Sequence, residues 1–264
     1  MDPAVLAELR ILFAFVVLLG LTLAVARRDL RSIRPRELPA LAAFGLLGVL
    51  AVQLVYYQSI ERIPIGVALV IEYTAPLLIL AYWRLRGRAV GLGLWVAAGL
   101  TLVGCYFVVG AYDAQLRQLN AVGALLAAAD AIILAAYFLL AERLVVRHTG
   151  WALLSAGFAA AALAWCLARP PWTLPWSQAG ALWPYVAGVV VIATVVPYLC
   201  SVAAVRRIPA ARVGLSATSE PVIAAVAAWV LIGQSLELLQ VVGGGIVVAG
   251  IVIAQRVRLR PAGV

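Results

Sequence analysis

RIPIGVALVIEYTAP at residues 62–76 and RIPAARVGLSATSEP at residues 207–221 are two versions of one segment. Ile63-Pro64 aligns with Ile208-Pro209, and Pro76 with Pro221, at an offset of 145 residues. Gly99 and Gly104 align with Gly245 and Gly250 at 146, one residue of slippage. The chain is therefore read as two copies of one structural unit, and that reading organises everything else.

The composition says what solvent the unit lives in. Of 264 residues, 66% are hydrophobic and 12% charged. A soluble domain has roughly 45–50% and about 25%. So few charges cannot cover so much apolar surface in water, and disorder is excluded for the same reason. Mean hydropathy is +1.07. Nine apolar runs follow one another, at about 9–26, 39–60, 64–83, 89–110, 119–141, 151–168, 180–204, 208–232 and 236–255. Each approaches the roughly 20 residues that a helix needs to cross the hydrocarbon core. Backbone in lipid must satisfy its own hydrogen bonds, so these runs are expected to be helices. The connections are short. The 111–118 and 169–179 loops are the longest on one side, and RPPWTLPWSQA in the second suits an interfacial anchor.

All 20 cations are arginine, and the net charge is +9. Under strict alternation, 16 arginines fall on one side, in clusters at 27–36, 84–88, 143–147, 206–212 and 256–260. Arg10, Arg62, Arg117 and Arg169 fall on the other. This positive-inside pattern places the C-terminus in the cytoplasm and, with nine crossings, the N-terminus outside. Membrane orientation, rather than nucleic-acid binding, accounts for the basic charge. The first run ends in Ala24-Val25-Ala26, but Asp2, Glu8 and Arg10 precede it and five arginines follow, so it reads as a retained helix rather than a cleaved leader.

Shifting the second copy by the offset places 151–168 on 9–26 and leaves 119–141 without a counterpart. The second copy then has five helices and the first has four. An odd number of helices per copy inverts one copy relative to the other. The expected fold is an all-α integral membrane 5+5 inverted-repeat bundle with nine transmembrane helices, lacking the first helix of its first repeat. Either the start codon is misplaced or the chain is a true nine-helix variant. The expected repeats are 1–112 and 113–264.

Two stretches carry a family resemblance: IEYTAPLLILAYWRLRGR (71–88) and SEPVIAAVAAWVLIGQSL (219–236), each with a proline. Each precedes a glycine-rich helix, GLGLWVAAGLTLVGCYFVV and LLQVVGGGIVVAGIVIA. In this the chain resembles the drug/metabolite transporter superfamily in its EamA-type form. That family often ends the second stretch in Gly-Glu, where this chain has Gly233-Gln234. The resemblance implies a secondary transporter. It does not name a substrate, since members export amino acids, other metabolites or drugs.

Ionisable groups inside a bilayer are costly and face a cavity or a partner. Glu72, Asp130 and Glu220 lie well inside predicted spans, near the midplane. Glu72 and Pro76 share a helix face, and proline frees the carbonyl four residues earlier, that of Glu72 itself. Glu72 is read as a substrate or proton site, or else as a tie to a neighbouring helix. Arg212, Ser216 and Glu220 step by four along one face; Ser216 is a candidate donor to Glu220. Arg212 is a candidate gate residue, or else it snorkels to the headgroups. Asp130 shares a face with Tyr137, and an acid in low dielectric can exchange a proton near neutral pH. Gln53 and Tyr56 form a polar-aromatic stripe whose repeat counterparts are Tyr198 and Ser201; Tyr56 also fits an aromatic belt. Pro76 and Pro221 are hinge candidates. The repeat counterpart of Glu72 is Ala217 and that of Glu220 is Ala75, so the site is expected to be asymmetric.

Cys105, Cys166 and Cys200 have no C-x-x-C spacing, and His148 is the single histidine, so neither a metal site nor a disulfide framework is expected. No phosphate-binding loop and no H-E-x-x-H or G-x-S-x-G motif occurs, so neither ATP nor enzymatic chemistry is expected. The expectation is a multi-pass protein of a prokaryotic inner membrane, a monomer or homodimer. It exports a small molecule by proton-coupled alternating access, with no cofactor and no nucleic acid. The alternatives are an uncoupled facilitator or a non-transporting subunit.

Overall fold

The computed structural model describes residues 3–113, 120–174, 176, 180 and 182–257, and all regular structure among them is helical. Arg117, Arg258 and Arg260, and parts of the two long loops, lie outside the described residues. Eight segments are long and apolar enough to cross a membrane, and a ninth, Leu92–Val108, is a shorter apolar helix of 17 residues. The nine expected runs are all present as helical segments.

The helices are α1 (Pro3–Val25), α2 (Arg27–Arg31), α3 (Leu38–Gly45), α4 (Val52–Ile60), α5 (Ile65–Glu72), α6 (Ala75–Leu85), α7 (Leu92–Val108), α8 (Ala121–Leu144) and α9 (Gly150–Ala168). They continue with α10 (Trp183–Val190), α11 (Val196–Val205), α12 (Ala210–Ala217), α13 (Glu220–Ile232) and α14 (Leu238–Arg256). Local chemistry marks the helix ends. Asn120 Oδ1 accepts the N–H groups of Val122 and Gly123 at 2.9 and 3.1 Å, and the Thr149 hydroxyl accepts that of Ala152 at 3.3 Å. Both satisfy donors that a helix start leaves free. Gly233 ends α13 in the left-handed region at φ 68°, a conformation that costs glycine nothing.

Four spans depart from the single smooth helix expected, and they do so in repeat-related pairs. Leu46–Ala51 and Val191–Val195 are π-helical, linking α3 to α4 and α10 to α11. Tyr73-Thr74 and Thr218-Ser219 interrupt the spans that contain Pro76 and Pro221. Leu46 to Val191 and Tyr73 to Thr218 are both 145 residues apart. The sequence offset is thus also an offset of backbone irregularities. At the interruptions proline sits at the second position of the following helix, where its missing N–H costs nothing.

The chain divides into two compact units: Met1–Leu54 with Leu139–Arg207, and Val55–Phe138 with Ile208–Val264. Each draws on both sequence copies. In the first, α1 and α3 pack on α9. A Cβ on Gly45 would lie 1.9 Å from the Gly157 carbonyl oxygen, so these two helices meet backbone to backbone. Leu174, from the loop after α9, is buried with Val5 and Leu9. The Trp176 indole donates to the Pro171 carbonyl at 3.0 Å and meets Phe13 edge-on. In the second unit, α7 packs along α14, with the Gly104 and Gly243 backbones in contact. Gly93 and Gly250 are also close approaches, but Gly99 and Gly245 face open space. The second unit also packs α12 on α6, where Gly214 lies beside the Pro76 ring.

Candidate functional site

The second unit gathers Glu72, Asp130 and Glu220, each inside a candidate membrane span. Glu72 is the last residue of α5, and Glu220 is the first of α13. Each therefore flanks an interruption, where the helix ladder is open. Glu220 also stands at a helix N-terminus, whose free N–H groups favour negative charge. Thr74, Thr218 and Ser219 donate their hydroxyls to carbonyls three residues back, at 2.6, 2.6 and 2.8 Å. These bonds satisfy carbonyls that the interruptions release. The Cys105 thiol also reaches the Thr218 carbonyl, at 3.7 Å.

Across the two interruptions, the Tyr73 hydroxyl donates to Glu220 Oε2 at 3.4 Å. Glu72 lies within electrostatic reach of Asp130 and Glu220, and Tyr56 within reach of all three acids. Asp130, on α8, is fully buried, and neither carboxylate oxygen has a hydrogen-bond partner among the described residues. Tyr56 packs into the cluster of Ile63, Ala68 and Ala127 that joins α5 to α8. Tyr137 is buried with its ring 5.2 Å from that of Phe138. The result is three carboxylates with the Tyr56 and Tyr73 phenols beside them in one unit. Like charges repel strongly where water is scarce, so such a group favours a cation, whether a proton or an ammonium.

The other expected residues fall elsewhere. Ser216 does not donate to Glu220: its hydroxyl donates to the Arg212 carbonyl at 2.9 Å and accepts from Gln255 Nε2 at 2.9 Å. One helical turn of rise separates Ser216 from Glu220, and the break at Thr218-Ser219 lies between them. The Arg212 guanidinium donates to the Val257 carbonyl and so binds the end of α14. Gln53 and Tyr198 belong to the first unit, where they are repeat counterparts and near neighbours. Tyr198 donates to the Gly48 carbonyl at 2.7 Å, inside the π-helical turn, and its ring meets Phe158 edge-on at 5.0 Å. A π turn shifts the backbone ladder by one residue, which exposes such a carbonyl to a side chain. Pro76 and Pro221 are both buried beside the interruptions.

Two residues of interest were not legible as such. Tyr73 had no sequence signal beyond its place beside Glu72. Glu8 reads as a flank of the first run, yet its side chain is fully buried in the first unit, 3.8 Å from Arg169 Nε.

The model of the EamA-like transporter family matches residues 1–110 and 121–255. The chain belongs to the EamA-like transporter family. It is a membrane transporter of that family, and the expected family and all-helical fold are borne out. An uncharacterized transporter of Archaeoglobus fulgidus is 27% identical over 258 residues, covering 97% of this chain and 87% of the relative. The threonine/homoserine exporter RhtA of Escherichia coli strain K12 is 29% identical over 226 residues, covering 83% of this chain and 72% of the exporter. A solved crystal structure superposes with a TM-score of 0.78 over 96% of this chain and 87% of its own, at 20% identity. That likeness concerns the fold alone.

Proposed function

We propose that this EamA-like transporter exports amino acids or closely related small metabolites across a prokaryotic inner membrane in exchange for protons. The observation that carries the reading is the grouping of Glu72, Asp130 and Glu220 in one compact unit. A proton and a substrate ammonium are alternative cations for the same carboxylates, so they bind in competition. Competition for one site in alternating access is exchange. The interruptions at Tyr73-Thr74 and Thr218-Ser219 are the hinges beside that site. The RhtA exporter's named solutes carry both an amino and a carboxylate group, which fits an acid-lined site for the amino end. The arginine-rich loops face the cytoplasm in this reading, with the C-terminus among them.

The test is efflux from proteoliposomes holding the full chain and loaded with labelled threonine, homoserine or other amino acids. An imposed inward proton gradient is expected to accelerate efflux at least tenfold. Efflux indifferent to the gradient would make the chain a facilitator. No efflux of any amino acid, with the chain folded and inserted, would overturn the reading.

A further inference from the structure

We propose that the first unit holds a phosphate-binding site on its arginine-rich face, separate from the transported solute. A cavity of about 510 Å³ is lined there by Ser32, Arg34, Glu37, Arg147 and His148. Ligand pockets generally run from roughly 300 to 1,000 Å³. Its walls come from the segment between α2 and α3 and from the turn between α8 and α9. Those segments are joined beside the cavity, where the Thr149 hydroxyl donates to Asp29 Oδ2 at 2.6 Å.

The charges inside are unequal. Arg34 and Arg147 are exposed, and neither guanidinium is in an ion pair among the described residues. The His148 side chain is 3% exposed, and its Nε2 has no hydrogen-bond partner among the described residues. The one acid on the wall, Glu37, is already engaged. Its Oε2 accepts the Arg34 backbone N–H at 2.9 Å, and its Oε1 faces His148 Nε2 at 3.7 Å. At 3.7 Å Glu37 is an ion-pair neighbour of the imidazole rather than a hydrogen-bond acceptor, and a buried nitrogen that makes no hydrogen bond is costly unless something completes it. Two guanidinium forks and an imidazole line the cavity with donors of the kind that phosphate oxygens take, while the Ser32 hydroxyl already donates to the Asp29 carbonyl at 2.7 Å. The cavity residues lie between, or at the ends of, the candidate spans Val5–Val25, Pro35–Ile60, Ala121–Leu144 and Gly150–Ala168, which in this proposal is headgroup level. Basic pockets at that level take acidic lipid headgroups. The ligand chemistry is a phosphate anion, carried either by such a lipid or by a soluble phosphate.

Native mass spectrometry of the purified full chain separates the sources, with phosphatidylglycerol, phosphatidylcholine and inorganic phosphate as probes. The wild type is expected to hold phosphatidylglycerol over phosphatidylcholine, and R34Q/R147Q to hold it at least tenfold more weakly. Exposed Arg84 and Arg86 lie in the other unit, so R84Q/R86Q is expected to bind like the wild type. If only inorganic phosphate binds, and R34Q/R147Q loses it, the soluble source is the right one. Equal binding of both probes by the wild type and R34Q/R147Q overturns the proposal, as does binding of neither by the wild type. Should R34Q/R147Q not fold, H148Q provides the same comparison with the arginines in place.

Discussion

Tyr73 and Glu220 meet across two interrupted helices, phenol to carboxylate, with 3.4 Å between Oη and Oε2. Tyr73 caps the end of α5, and Glu220 begins α13. The contact therefore links the opened backbone of one sequence copy to that of the other. The phenol of one copy thus ties itself to the carboxylate of the other.

Tyr73→Phe keeps the ring and removes the donor. Export is expected to persist but to slow several-fold across the external pH range. Proteoliposome efflux across an external pH series measures this. A profile that overlays the wild type would remove Tyr73 from the coupling machinery.

Glu72→Gln keeps the size and removes the charge. Gradient-driven efflux is expected to fall at least tenfold, with insertion and yield unchanged. Full proton-linked export by this variant would reject Glu72 as the coupling acid.

Asp130→Asn separates coupling from stability. Both Asp130 oxygens are buried without hydrogen-bond partners among the described residues, so the ionised group contributes desolvation cost rather than structure. The variant is expected to melt no lower than the wild type in detergent while losing pH-dependent export. A melting point several degrees lower would make Asp130 a packing residue.

Gly45→Ala puts a methyl group 1.9 Å from the Gly157 carbonyl oxygen, whereas Gly99→Ala meets nothing within 4 Å. Overpacking costs roughly 1–3 kcal/mol, and a clash with backbone belongs at the upper end. Thermal unfolding in detergent is expected to fall sharply for Gly45→Ala and to stay put for Gly99→Ala. Equal melting of the two variants would contradict the close approach of α3 and α9.

Tyr198→Phe removes the bond to the Gly48 carbonyl and leaves the edge-on contact with Phe158. A loss of about 0.5–1.5 kcal/mol is expected, the usual size for one hydrogen bond. Denaturation against the wild type reads it. No loss at all would mean that the π turn holds without Tyr198.

Much of this protein follows from the sequence alone, because a bilayer leaves so few options. Apolar runs of spanning length must be helices, and the 62–76 and 207–221 segments establish the repeat. Prolines at 76 and 221 mark the two interruptions, and isolated acids in apolar runs mark Glu72, Asp130 and Glu220. These features are local, so periodicity and residue type reveal them. Tertiary structure decided which of them meet. Helical spacing put Ser216 on the face of Glu220, but the helix ends at Ala217, and the Ser216 hydroxyl bonds back to the Arg212 carbonyl within its own helix. Nothing in the composition of LLGVLA or VIATV announces a π turn; packing selects it, and Tyr198 then finds the exposed Gly48 carbonyl. Glu8 and Tyr73 acquired partners only when distant segments were brought beside them. A helix face says where a side chain points, and only the neighbouring helix says what it touches.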